Sequence, residues 1–130
     1  MTTTILLIDD DMDFQTVTAV LLESKGYIVL SAHNGAEGYL MAKAEKPAVI
    51  LLDVMMTYDS EGFEVARKLH EDPATTAIPV IMITGIKEAL NLATPIRPDH
   101  SWLPVMHVLE KPVKTDALLK AIHKVTTPHT

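Results

Sequence analysis

The chain contains no cysteine. That excludes disulfides, thiolate catalysis and every zinc site built on sulfur. Aromatic residues are scarce, at 5%. There is no basic run and no basic amphipathic helix: 11 lysines and arginines stand against 17 acidic residues, for a net charge of −6. Direct nucleic-acid binding needs a positive footprint, so it is not expected. No apolar stretch approaches the roughly 18–20 residues that span a bilayer. The opening MTTTILLIDDD has no positive n-region and an apolar run of only four residues, so it does not read as a signal peptide. The six histidines, at 33, 70, 100, 107, 123 and 129, show neither HxxxH nor HExxH spacing. A cytoplasmic protein without membrane insertion is the expectation.

What is present is a chain of 130 residues, 48% hydrophobic and 22% charged, long enough for one domain with a real core. Apolar runs alternate with helical patterns. Ile5–Ile8, Tyr27–Leu30, Ala48–Leu52, Pro79–Ile83 and Val105–Leu109 read as strands. Phe14, Val17, Thr18, Leu21 and Leu22 follow helical spacing, and Gly26 stops that helix. NGAE at 34–37 reads as a helix cap with its reciprocal acid, for a helix running to about Glu45 before Pro47. Further helices are expected over Phe63–Glu71, ending at Asp72 and Pro73, over Ile86–Leu92, and from a cap at Thr115 through Val125. The first, third and fourth strands are continuous aliphatic runs, as parallel strands covered on both faces are. The pattern predicts an α/β fold: a doubly wound, five-stranded parallel sheet of order 2-1-3-4-5 in a flavodoxin-like three-layer sandwich. A single domain with its core over about 4–125 is expected, with no linker or output domain. Residues 93–106, with three prolines and the sole tryptophan, Trp102, read as an ordered loop between the last two strands.

The polar residues that end the strands carry the chemistry. The first strand runs into Asp9 and Asp10, the third into Asp53, the fourth into Thr84 and the fifth into Glu110 and Lys111. In an open parallel sheet these carboxyl ends line one crevice, where ligands bind. Three carboxylates crowded there repel one another. A hard cation with oxygen ligands resolves the conflict, and Mg²⁺ takes one or two carboxylates together with water and phosphate oxygens. Asp53, central on the rim, is placed to act as a nucleophile toward a phosphoryl group, with Lys111 and the metal offsetting its charge. Asp11 and Asp13 read instead as carboxylates at the start of the first helix, favoured there by the helix dipole. Glu37 and Glu61 read as helix-start residues, and the seven methionines as core filler.

The pieces ILLIDDD, ILLDVMM, PVIMITG and LEKPV, in this order and spacing, resemble the receiver domain of two-component response regulators over nearly the whole chain. The resemblance implies a phosphoacceptor at Asp53 and an acidic metal-binding pair at Asp9 and Asp10. Asp10 would then be the direct Mg²⁺ ligand, with Asp9 acting partly through water. It also implies a backbone carbonyl from Met55 to the metal, a hydroxyl at Thr84 that bonds and senses the phosphoryl group, and an ammonium at Lys111 that pairs with it. The Lys111–Pro112 peptide is expected to be cis. The implied partners are a sensor histidine kinase or a histidine phosphotransfer protein as donor, and a downstream protein target. The protein would be a stand-alone switch rather than a turnover enzyme on an external substrate.

Three departures from the family pattern stand out. Thr57 replaces the usual proline in a loop one residue longer, MMTYDSEG. Val108 stands where an aromatic often couples to the threonine, and the 93–106 segment is long. Trp102 is therefore expected to take over the response to phosphorylation. Met55 and Ile86, both apolar, are expected to give a long-lived phosphate because neither orients water.

Two other readings have sequence features to weigh. A phosphate-independent, receiver-like binding module would not need the five side chains that are all present here. An aspartate-nucleophile phosphatase of the haloacid dehalogenase type would use the DxD of Asp9 and Asp11. It would leave Asp53 idle, and it lacks a late acidic strand motif, since only Asp116 follows the lysine. A flavodoxin-like FMN site is disfavoured because the loop after the first strand is acidic and would repel phosphate.

Overall fold

A computed structural model describes residues 3–53, 61–84, 107–110 and 113–126. In chain order the elements are β1 (Thr4–Ile8), α1 (Met12–Ser24), β2 (Ile28–Ala32), α2 (Gly35–Glu45), β3 (Val49–Asp53), α3 (Glu61–Glu71), β4 (Val80–Thr84), β5 (His107–Glu110) and α4 (Thr115–Thr126). The strands form one sheet of order β2-β1-β3-β4-β5, every neighbouring pair parallel, as the sequence pattern predicts. Met55, Thr57, Ile86, the expected helix over Ile86–Leu92, the 93–106 segment with Trp102, and Lys111–Pro112 lie outside the described residues.

Alternation along the strands explains the layers. Leu6, Ile8, Ile50, Leu52 and Met82 point to one face, where Ala42 of α2 and Val65, Ala66 and Leu69 of α3 cover them. Ile5, Leu7, Val49, Leu51, Ile81 and Ile83 point to the other, under Leu22 of α1 and Leu118, Ala121 and Ile122 of α4. Both faces of the central strands are dry, which is why their sequence is a continuous aliphatic run. Each fully buried Leu or Ile contributes roughly 1.5–3 kcal/mol toward offsetting the entropy of ordering the chain.

The helix ends follow from local chemistry. At the end of α1, Gly26 takes φ +93°. Its N–H donates to the Glu23 carbonyl at 3.0 Å, and that of Tyr27 donates to the Leu22 carbonyl at 3.2 Å. This is the paired closure that a left-handed glycine permits. Asn34 caps α2, its side chain accepting from the Glu37 N–H at 2.8 Å. The Glu37 carboxylate lies 3.7 Å from Nδ1 of His33. Helix α2 ends at Glu45, with Lys46 left-handed before Pro47.

Two expectations shift. Strands β2 to β5 end one or two residues later than the aliphatic runs, so that Asp53, Thr84 and Glu110 are still strand residues. Ladder hydrogen bonds are made by the backbone and do not stop where side chains turn polar. The buried stripe of α1 is also rotated: Gln15, Thr18 and Leu22 are buried, whereas Val17 is 70% exposed. Among the described residues no helix is long and apolar enough to cross a membrane.

Candidate metal and phosphoryl site

The site grows from strand register. Ile8 of β1 pairs with Leu52 of β3, so the next residues, Asp9 and Asp53, stand side by side at the carboxyl rim. Adjacent strands run roughly 4.7–4.9 Å apart, which fixes how closely the two carboxylates meet. Asp53 pairs in turn with Ile83 of β4, and Thr84 follows, opposite Glu110 of β5. The sequence thus brings Asp9, Asp53 and the backbone of Thr84 to three neighbouring strand ends. Lys111, the residue after Glu110, and Met55, two beyond Asp53, lie outside the described residues. Val108 is an interior residue of β5, paired with Met82.

Asp9 is fully buried, Asp53 is 3% exposed and Asp10 is exposed. One carboxylate oxygen from each of the three lies within 4.8 Å of the others. Asp9 Oδ1 accepts the N–H of Asp11 at 2.8 Å. The turn that follows explains why four carboxylates in five positions do not share one fate. Asp11 caps α1, its Oδ1 accepting the Phe14 N–H at 3.1 Å, and Asp13 sits exposed in the first turn. Both are helix-start residues, as expected.

The donor set suits a hard divalent cation. All three groups are anionic oxygens, and their closeness is unfavourable until a positive charge intervenes. Asp10 is exposed while Asp9 and Asp53 are buried, so these three would hold a cation with water able to reach it past Asp10.

The response regulator receiver domain family matches residues 5–123. The chain belongs to this family. Protein PilH of Pseudomonas aeruginosa is 36% identical over 121 residues, covering 93% of this chain and 95% of PilH. The phosphate regulon transcriptional regulatory protein PhoB of the same organism is 41% identical over 88 residues, which is 68% of this chain but 38% of PhoB. Among solved structures, a CheY-like receiver domain protein from Methanospirillum hungatei superposes with a TM-score of 0.76 at 27% identity, covering 95% of this chain and 93% of that one. Chemotaxis protein CheY4 of Vibrio cholerae, at 23% identity, shares the fold with a TM-score of 0.78 over 96% and 99%. Receiver membership displaces the phosphatase reading, in which Asp53 had no part.

Sequence reasoning missed one residue that bonds to the strand end beside the acidic cluster. Gln15, buried at 4% exposure, reaches from α1 to the end of β1. A polar residue three and seven positions before Thr18 and Leu22 was the available signal, but an apolar count assigns it to the wet face.

Proposed function

We propose that this receiver accepts a phosphoryl group on Asp53 from a phosphohistidine donor, and that Asp9, Asp10, Asp53 and the Met55 carbonyl hold the Mg²⁺ ion that the transfer requires. The reading is carried by one observation: three carboxylates within 4.8 Å at adjoining strand ends of a receiver fold. A carboxylate oxygen of Asp53 attacks phosphorus; the P–O bond forms as the P–N bond of the donor breaks, and the departing imidazole keeps the electron pair and takes a proton from solvent. When bound, Mg²⁺ supplies positive charge against the phosphoryl oxygens and relieves the repulsion of the acidic residues. Burial of Asp53 orients its carboxylate and limits water around the acyl phosphate. Thr84, one step beyond Asp53 on the next strand, offers its hydroxyl to a phosphoryl oxygen, and Lys111 its ammonium. Attack of water on phosphorus later returns the carboxylate and inorganic phosphate.

The donor in this reading is a sensor histidine kinase or a histidine phosphotransfer protein, and the output is a changed contact with a protein target. Residues of about 4–125 act as one receiver unit, a switch rather than a turnover enzyme, working in the cytoplasm. The test is labelling by a small-molecule phosphodonor with and without Mg²⁺, followed by mass spectrometry. Wild type takes one phosphoryl group in the presence of Mg²⁺, and Asp53→Ala takes none. Label retained in Asp53→Ala would refute the assignment.

A further inference from the structure

The strand end that carries Asp9 is stapled by a side chain outside the acidic cluster. Nε2 of Gln15 donates to the carbonyl of Asp9 at 2.6 Å and to the carbonyl of Ala32 at 2.7 Å. Ala32 ends β2, and its carbonyl also accepts the N–H of Asp9 at 3.1 Å. The peptide entering Asp9 is therefore tied through Ala32, and the peptide leaving it is tied through Gln15. Both partners of the amide are acceptors only, so its nitrogen must face them.

An uncharged amide suits this place for two reasons. It brings two donors on one atom to two buried carbonyls, which would otherwise lose their hydrogen bonds at a cost. It also adds no positive charge beside the carboxylates, so their charge is left for a cation. A lysine or arginine here could donate as well, but would compete electrostatically with a bound metal. Small displacements of a ligand-bearing backbone matter because a site works only when its groups are held close to the productive geometry.

We propose that Gln15 is a positioning residue for the divalent-cation site: by fixing both peptide groups of Asp9, it holds that carboxylate against those of Asp10 and Asp53 and so sets the affinity for Mg²⁺. The proposal rests on the Mg²⁺ reading above and deepens it. Gln15 touches neither cation nor phosphoryl group; its effect passes through the backbone of Asp9.

The test is calorimetric titration of MgCl₂ into wild type, Gln15→Met and Gln15→Asn, with NaCl of matched ionic strength as the blank. Leu118→Val is the control: Leu118 is a buried apolar residue of α4 that shares a core cluster with Leu22 of α1 but is no partner in the Gln15 hydrogen bonds. The control lowers Tm and leaves Mg²⁺ affinity within threefold of wild type. Gln15→Met, close in length but without donors, weakens Mg²⁺ by more than threefold, and so does Gln15→Asn, whose amide is one methylene too short to reach both carbonyls. Affinities within threefold of wild type in the folded variants overturn the proposal, even if Tm falls, because Gln15 would then be structural only. Should both variants fail to fold, NMR on wild type decides. The Gln15 side-chain amide must show hydrogen-bond couplings to the Asp9 and Ala32 carbonyls and must shift with Mg²⁺ along the same saturation curve as the Asp9 N–H; a side-chain signal that does not move overturns it. If wild type itself binds no Mg²⁺, the functional reading fails and takes this proposal with it.

Discussion

Asp10 and Asp13 stand three residues apart on either side of the Asp11 cap, and of the two only Asp10 meets the other carboxylates. Asp10→Ala removes a ligand from the proposed Mg²⁺ site, so Mg²⁺-dependent labelling of Asp53 should vanish. Asp13→Ala removes only a favourable charge in the first turn of α1 and should leave labelling intact. Asp11→Ala separates the roles further. It deletes the side chain that caps Phe14, and urea denaturation should report a loss of about 1 kcal/mol, with labelling retained. Loss of labelling in Asp13→Ala, or its survival in Asp10→Ala, would reverse these assignments. The division of ILLIDDDMD into a rim pair and a helix-start pair was legible because strand ends and helix caps each demand acids for a separate reason. Gln15 was not legible, because one of its partners, Ala32, is 17 positions away and belongs to a different strand. Val17 misled for a related reason. Its hydrophobicity fits the stripe, but the side of α1 that meets the sheet carries Gln15, Thr18 and Leu22, and Val17 is left in solvent.

Helix α2 meets the sheet through small residues, Gly35, Gly38 and Ala42, while Leu40 is 68% exposed. An apolar-periodicity count sees little there, because close approach rather than bulk makes the contact; its position came from its Asn34 cap and Pro47. A Cβ at Gly38 would lie 2.4 Å from Cδ1 and 2.7 Å from Cγ1 of Ile8, which is fully buried and has nowhere to go. Overpacking of this kind costs about 1–3 kcal/mol, against a gain of about 1 kcal/mol in helix propensity. Gly38→Ala should therefore destabilise in urea. Adding Ile8→Val, which removes Cδ1, should recover part of the loss, a coupling between the two sites that simple additivity excludes. The same helix is tied to the end of α3: the Tyr39 hydroxyl donates to Oδ2 of Asp72, and Lys43 lies 3.3 Å from that oxygen. The Tyr39 hydrogen bond, then the Ala74 N–H and Lys43, hold the Asp72 carboxyl down at about 2 from its ordinary 3.8. A lowered folded-state pKa adds stability that is complete above the ordinary value and disappears as pH falls through the folded one. The same bond raises the Tyr39 phenol above 10, so its contribution is present below that pH and is lost as the phenol ionises. Stability should thus decline between about pH 4 and pH 2, and less steeply in Tyr39→Phe. Parallel slopes for the two proteins in acid denaturation would show that the hydrogen bond does not carry the effect.

The sheet order was legible from the whole chain because two constraints agree: continuous aliphatic runs require cover on both faces, and helices between parallel strands supply it. The exact strand ends were not, since backbone pairing carries β3 and β4 through the polar Asp53 and Thr84. Those late ends have a consequence for the stability of the entire fold. Folding gathers Asp9, Asp10 and Asp53 to within 4.8 Å, whereas the unfolded chain keeps Asp53 far from the other two. The native state alone therefore bears the repulsion between Asp53 and the other two, and a cation bound there relieves it in the native state alone. A ligand that binds only the folded form stabilises it by roughly 2.7 kcal/mol when present at a hundredfold over its dissociation constant. Mg²⁺ should accordingly raise Tm in a saturable way, beyond any change from NaCl at equal ionic strength, which merely screens exposed charge. Asp10→Asn removes one of the three charges while keeping the side chain's size. Without Mg²⁺ it should be more stable than wild type, and on adding Mg²⁺ it should gain much less. The two melting curves should cross: the variant higher in chelator, wild type higher at saturating Mg²⁺. If Asp10→Asn is less stable than wild type in chelator, the carboxylates are not in conflict in the native state, and a cation is not what the cluster is built to receive.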